Sequence, residues 1–273
     1  MRPSRPLKLG LVMCSPLLAS VLTATQAAAA TSATPAPTTP TATTTAARAA
    51  APPRVSGHVP ICNPLAPAPT DSFPGQAVVA DNFESSVLSG YLINTGGTGS
   101  IATSDDQAHS AFCSVHIHAT DDDGSLANMS VQLPGPTVEL YTDGWFNITT
   151  AGDPGNDVPY FRFFSGSTRA VDMYRYNNNG QLWLRTLTPA GAISYTRLTS
   201  WSIPLSTWHH VQMHVIANRS NSTVEVWFDE TKIFSSTLVN TFATSVTSVM
   251  LGAEHNRQAE DNYADDLIVK DVR

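Results

Sequence analysis

From Asp71 onward, apolar and polar residues alternate in short runs bounded by Gly, Pro, Asn and Asp. No stretch there carries the periodicity of an amphipathic helix. Residues 78–84 form the first predicted strand. Residues 111–119 alternate so that Phe112, His116 and His118 oppose Val115 and Ile117. Segments 138–150, 158–164 and 170–176 follow, and Asn177-Asn178-Asn179-Gly180 supplies a left-handed turn from which 181–187 returns as a hairpin. A turn at 189–191 leads into 193–198. Segments 208–217 and 223–228 pair across 218–222, and 246–252 and 265–269 close the chain. Ten or more strands, rich in Val, Thr, Tyr, Phe and Trp, predict an all-β, two-sheet antiparallel sandwich over residues 71–273. The spacing alone leaves its topology open.

The first 70 residues break this pattern. Arg2, Arg5 and Lys8 precede an apolar stretch over 9–24, and Ala28-Ala29-Ala30 offers the small residues of a cleavage site, so residues 1–30 read as an export signal. The run is short, interrupted by Pro16 and followed by no basic cluster, which argues against a membrane anchor. Residues 31–70 hold nine Thr, nine Pro and ten Ala, a composition of extended, disordered tether rather than helix or central strand. Its last third, from Val55, is more apolar and is the part expected to pack on the domain. After signal cleavage no membrane insertion is expected, and release to the outside is the default.

Charge sharpens the partition. All 22 acidic residues lie at Asp71 or beyond, against ten of the 15 basic ones, so the domain carries a formal −12 while the whole chain carries −7. An acidic surface without clustered Lys and Arg excludes nucleic acid and anionic membrane as main partners. Beyond the leader the cysteines are Cys62 and Cys113. In an oxidising compartment such a pair is expected to form one disulfide, although Cys113 also shares strand parity with Ala111, Val115 and Ile117 and would suit a buried thiol.

The stretch Leu205-Ser-Thr-Trp-His-His-Val-Gln-Met-His-Val, followed by Ser222-Thr-Val-Glu-Val-Trp-Phe-Asp-Glu, resembles the laminin-G-like, concanavalin A-like jelly roll of lectins and glucanases. Phe83-Glu84-Ser85 at the start and Leu251-Gly252 and Tyr263-Ala264-Asp265-Asp266-Leu267 at the end fit the same family, with Glu230 departing from its usual glycine. The resemblance implies a jelly roll whose two ends meet, bringing Glu84 near Asp265 and Asp266. Grouped carboxylates call for a compensating cation, and many relatives hold structural calcium there, so Ca2+ is the expected cofactor. The alternative is that these carboxylates bind turn amides. Asp121-Asp122-Asp123-Gly124 and Asp153–Asp157 are expected to be solvated turns.

The stretch from Tyr160 to Arg185 bears most directly on function. Tyr160, Arg162 and Phe164 share one parity, as do Asp172, Tyr174 and Tyr176, and as do Trp183 and Arg185. On one sheet face, Tyr160, Arg162, Tyr174, Tyr176, Trp183 and Arg185 would offer rings that stack on pyranoses and guanidinium groups that bind hydroxyls or carboxylates. The competing arrangement turns these aromatics into the core and Phe161, Phe163 and Met173 outward. His116-x-His118, with Arg162 and Tyr174, would supply the base, the charge-neutralising group and the acid of a polysaccharide lyase. The lyase strand motifs and the paired carboxylates of jelly-roll glucanases are absent, and Glu225 and Asp229 fit a hairpin better than a catalytic pair. The expectation is a secreted, non-catalytic module that binds polysaccharide or another extracellular ligand. The alternatives are a lyase using the His/Arg/Tyr set and a protein-binding adhesion module. Oligomeric state is not written in the sequence.

Overall fold

The computed structural model describes residues 58–255 and 257–273. The expected export signal of residues 1–30 and the expected tether up to residue 57 lie outside the described residues. Fifteen strands follow in order among them: β1 (Gln76–Asp81), β2 (Leu92–Gly96), β3 (Ser100–Ser104), β4 (Ser114–Ala119), β5 (Leu126–Thr137), β6 (Glu139–Ala151), β7 (Asp157–Ser165) and β8 (Thr168–Tyr176). They continue as β9 (Leu182–Leu187), β10 (Ile193–Arg197), β11 (Trp208–Ile216), β12 (Ser222–Phe228), β13 (Thr231–Val239), β14 (Val246–Ala253) and β15 (Glu260–Val272), with a single 3₁₀ turn at Arg219–Asn221.

The strands form two antiparallel sheets. One runs β13-β12-β11-β6-β15-β4-β3, with β1 also paired to β15, and the other runs β10-β9-β8-β7-β14-β5-β2. Alternation does what the sequence promised. In β12 every second residue is buried, as in β9, so Val224, Val226, Leu182 and Leu184 face the partner sheet. Leu140, Phe146, Val211, Met213 and Val115 meet Met129, Phe161, Phe163, Met173 and Val249 in one continuous core. Burying each such side chain contributes about 1.5–3 kcal/mol. Gly144 keeps the inner face of β6 clear, because a Cβ there would lie 3.3 Å from the Phe161 ring.

The sequence missed β2, β3, β5 and β13 as strands. Three of these, β2, β3 and β13, lie at sheet edges; β2 and β13 are largely exposed and lack the alternation that marks a half-buried strand, and β3 is only five residues long with a single large apolar side chain, Ile101. The first strand ends at Asp81 rather than at Glu84, because Phe83 adopts a left-handed φ of 57°. The turn after β12 is made by Asp229 and Glu230, both left-handed, without a glycine. Side chains hold it there: Asp229 accepts from the His210 amide at 3.0 Å and pairs with His209 Nδ1 at 2.9 Å, and Glu230 meets His210 Nδ1 at 2.7 Å.

Residues 58–75 belong with the domain. Cys62 and Cys113 form the expected disulfide. Asn82 Nδ2 donates to the Pro67 carbonyl at 2.8 Å, and Lys270 pairs with Asp71 and donates to the Phe73 carbonyl at 2.8 Å. The Phe73 ring stacks on Tyr141 at 4.7 Å, on the outer face of β6.

Candidate functional site

The outer face of the second sheet gathers most of the residues singled out between Tyr160 and Arg185. Antiparallel register does the gathering. Tyr195 of β10 lies opposite Arg185 of β9, Arg185 opposite Asp172 of β8, and Asp172 opposite Arg162 of β7. Four strands thus place Tyr195, Arg185, Asp172 and Arg162 in one row. The neighbouring row holds Trp183 opposite Tyr174. A cleft of about 350 Å³ opens over these rows, lined by Gly155, Asp157, Tyr174, Tyr176, Trp183, Arg185 and Tyr195. A second hollow of about 230 Å³ continues beyond Arg185 toward Arg169, Thr186 and Ile193.

Arg185 is held as a fixed fork. Its Nε and Nη2 donate to Asp172 at 3.0 and 2.6 Å, its Nη1 donates to Asp157 at 3.2 Å, and its guanidinium lies 4.8 Å from the centre of the Tyr174 ring. Burial would lower the pKa of Arg185, but the hydrogen bonds and charge of Asp172, with Asp157, outweigh it and raise the value. Burial, opposed by Arg185, raises the pKa of Tyr174, so that phenol stays protonated across the physiological range. Arg162 is covered entirely. It donates Nη1 to the Gly252 carbonyl at 2.7 Å and lies within 3.7 Å of Asp157, Asp172 and Glu254. It therefore supports the cleft from below and cannot itself touch a ligand. Burial also drives the Glu260 carboxyl well above its usual pKa. Trp183 stands edge-on to Tyr176 at 6.3 Å, and its indole N–H has no protein partner among the described residues.

Tyr160 is a correction. A β-bulge between Pro159 and Arg162 inserts an extra residue into β7, so Tyr160 and Phe161 both turn inward. Tyr160 is 1% exposed and packs edge-on against Phe146 at 5.2 Å. Strict alternation from Arg162 would have placed it in the cleft. Asp157 and Tyr195 were not among the expected ligand residues. Asp157 read as part of a turn, and Tyr195 sits on a strand that is exposed along its whole length. Only register brings them to Arg185.

The lyase set is not assembled. His116 and His118 project from β4 in the first sheet, whereas Arg162 and Tyr174 belong to β7 and β8 of the second. The strand histidines, His116, His118, His209, His210 and His214, all belong to the first sheet. Nor do Glu84, Asp265 and Asp266 converge as calcium ligands. Glu84 accepts from the Phe112 and Cys113 amides, both at 2.6 Å, and from the Asn63 amide. Asp265 accepts from the His109 and Ser110 amides at 2.9 Å, while Asp266 meets His109 Nδ1 and the Ser110 hydroxyl at 2.8 Å. Oxygen lone pairs that an ion would need are thus directed at turn donors, and the trio does not fit a shared calcium. Burial, reinforced by Asp266 and opposed by the amides of Ser110 and His109, lifts Asp265 to about 7.

No family model matches the chain, and no curated protein matches it. Solved structures do. The endo-β-1,4-glucuronan lyase of the fungus Trichoderma reesei aligns over 68% of this chain and 92% of its own, with 13% identity and a TM-score of 0.56. The cellulose induced protein Cip1 aligns over 71% of this chain and 97% of its own, with 14% identity and a TM-score of 0.55. The likeness is one of fold. The two-sheet sandwich is shared, while identities this low carry no residue roles across.

Proposed function

We propose that the chain is a secreted carbohydrate-binding protein of the laminin-G-like, concanavalin A-like kind, and that the outer face of its second sheet holds a neutral saccharide. The observation that carries this is the cleft in which Tyr174, Tyr176, Trp183 and Tyr195 surround the fixed Arg185–Asp172 pair. Flat rings offer stacking to the C–H faces of a pyranose, and the Arg185 fork offers directional contacts to hydroxyls. Charge weighs on the class of sugar. Arg162, Arg169 and Arg185 are matched by Asp157, Asp172 and Glu254, and in a domain of formal −12 the exposed Arg197, opposite Trp183, offers a polyuronate a single cation at the edge of the cleft. The leader and the disulfide support an extracellular setting.

Lyase activity is the second reading, favoured by the fold shared with the glucuronan lyase. One panel tests both. Binding to cellulose, xylan and arabinan is measured beside turnover of glucuronan and alginate. Retention on a neutral polymer is expected, with no unsaturated uronate product. Trp183→Ala should weaken binding about tenfold, the loss of roughly 1.4 kcal/mol of contact. Product formation, or retention indifferent to Trp183→Ala, would overturn the proposal.

A further inference from the structure

On the opposite face of the molecule, His116 and His118 stand two residues apart on β4, which places both rings on the same side of the first sheet. β15 runs beside β4 with Asp261 opposite His118. His116 Nε2 lies 2.9 Å, and His118 Nδ1 2.7 Å, from the same atom, Asp261 Oδ1. The three ligand atoms lie within 4.8 Å of one another. The His116 ring is fixed by stacking on Tyr263, 4.3 Å away and 3° from parallel.

We propose that His116, His118 and Asp261 bind a divalent transition-metal ion, with Zn2+ as the natural occupant. Atoms each about 2.0–2.2 Å from a single zinc lie about 3–3.5 Å apart, so small side-chain rotations would complete the set. Two imidazoles and one carboxylate suit zinc, copper or nickel rather than calcium, which takes oxygen ligands. The side chains keep 26, 33 and 28% of their surface, leaving further coordination positions open to water. The other histidine–carboxylate contacts on this sheet are built differently. His210 meets Asp143 through Nε2 and Glu230 through Nδ1, and His214 meets Glu139 and Glu225 in the same divided way. There the carboxylates sit on opposite edges of one ring and cannot share an ion with it. Only at Asp261 do two rings converge on one oxygen among the described residues.

The site lies on the sheet away from the saccharide cleft, so its fate is independent of sugar binding. The test uses the untagged full chain, stripped with chelator, titrated calorimetrically with Zn2+ and spectroscopically with Co2+. One equivalent of each ion is expected, with a Co2+ visible spectrum of nitrogen and oxygen ligation and a higher Tm in zinc. His118→Gln and Asp261→Asn should each weaken binding at least about tenfold, at or beyond the loss typical of disturbed second-shell partners. His214→Gln should bind as the parent does. Circular dichroism of the metal-free variants establishes that they are folded, and the two ligand variants stand in for each other if one is not. Absence of stoichiometric binding, or binding that survives both ligand substitutions, would refute the site. So would an equal loss in His214→Gln.

Discussion

Asp172→Asn probes the electrostatic support of the cleft most directly. The Asp172 carboxylate is fully buried. It accepts Arg185 Nε at 3.0 and 3.2 Å and Nη2 at 2.6 Å, and lies 3.7 Å from Arg162 Nε and 3.5 Å from Arg169 Nη1. Asn has nearly the same shape but carries no charge, and its NH2 would face guanidinium N–H groups. Removing one member of a buried pair costs about 3–5 kcal/mol, because the partner charge is left desolvated. Arg185 retains 12% side-chain exposure toward the cleft and can regain some water, which places the expected loss near the lower end, about 3 kcal/mol.

For a domain of this length each kcal/mol moves Tm by about 2–4 °C, so the variant should melt roughly 6–12 °C lower. Urea unfolding at low and high salt is the sharper assay. A buried pair is poorly screened, so the loss should persist in high salt. Lys232→Ala, which breaks an exposed contact to Glu225, should cost less than about 1 kcal/mol and less still as salt rises. Saccharide retention should fall in Asp172→Asn as well, since Arg185 loses the partner that aligns it. A stability loss below about 1 kcal/mol, or one erased by salt, would show that Asp172 does not hold the arginines as described.

The acidic residues of the first sheet and its loops give two further expectations. Glu84→Gln should destabilise the protein by about 2–3 kcal/mol, because its amide NH2 must face one of three backbone donors. That loss, read as Tm, should be the same in calcium and in chelator; a parent Tm that depends on calcium and a Glu84→Gln Tm that does not would instead restore an ion at Glu84. The second concerns pH. Burial pushes the pKa of His210 down, but hydrogen bonds and charge from Asp143 and Glu230 push it up further, to about 9. A folded value above the unfolded 6.5 stabilises fully below about pH 6.5, and the contribution fades as pH rises through about 9. His210→Gln should therefore flatten the fall in urea midpoint between those limits, a fall of about 1–3 kcal/mol in the parent. A parent midpoint that is level across this window would refute it.

Face assignments within a strand were largely legible, and assignments between strands were not. Alternation identified His116 with His118 and Trp183 with Arg185 correctly, since a pleated strand leaves two choices. It failed at Tyr160, where one bulged residue exchanged the faces, and nothing in Pro159-Tyr160-Phe161-Arg162 marks an insertion. Sequence also could not show that β4 and β8 enter different sheets, which divided the His116, His118, Arg162 and Tyr174 set. That depends on pairings far apart in the chain, such as β15 with both β4 and β6. Pairing also put Asp261 beside the two histidines, a partnership with a sequence separation of 143 residues from His118.

The two outer faces of the sandwich therefore solve the same problem with different bases. Each must seat carboxylates on a sheet surface in a strongly acidic domain. The second sheet uses arginine, whose charge does not change at accessible pH, and so presents the Arg185 fork in one state from mild acid to mild alkali. The first uses histidine, layered on Tyr141, Trp145 and Tyr263 against Glu139, Asp143 and Asp261, and the contact of His210 with Asp143 depends on its proton as the one at Asp261 would on an ion. A recognition surface benefits from the constant arrangement. A surface whose stability answers to pH or metal needs the variable one, and the separation of the two sheets by a continuous apolar core lets one respond without redrawing the other.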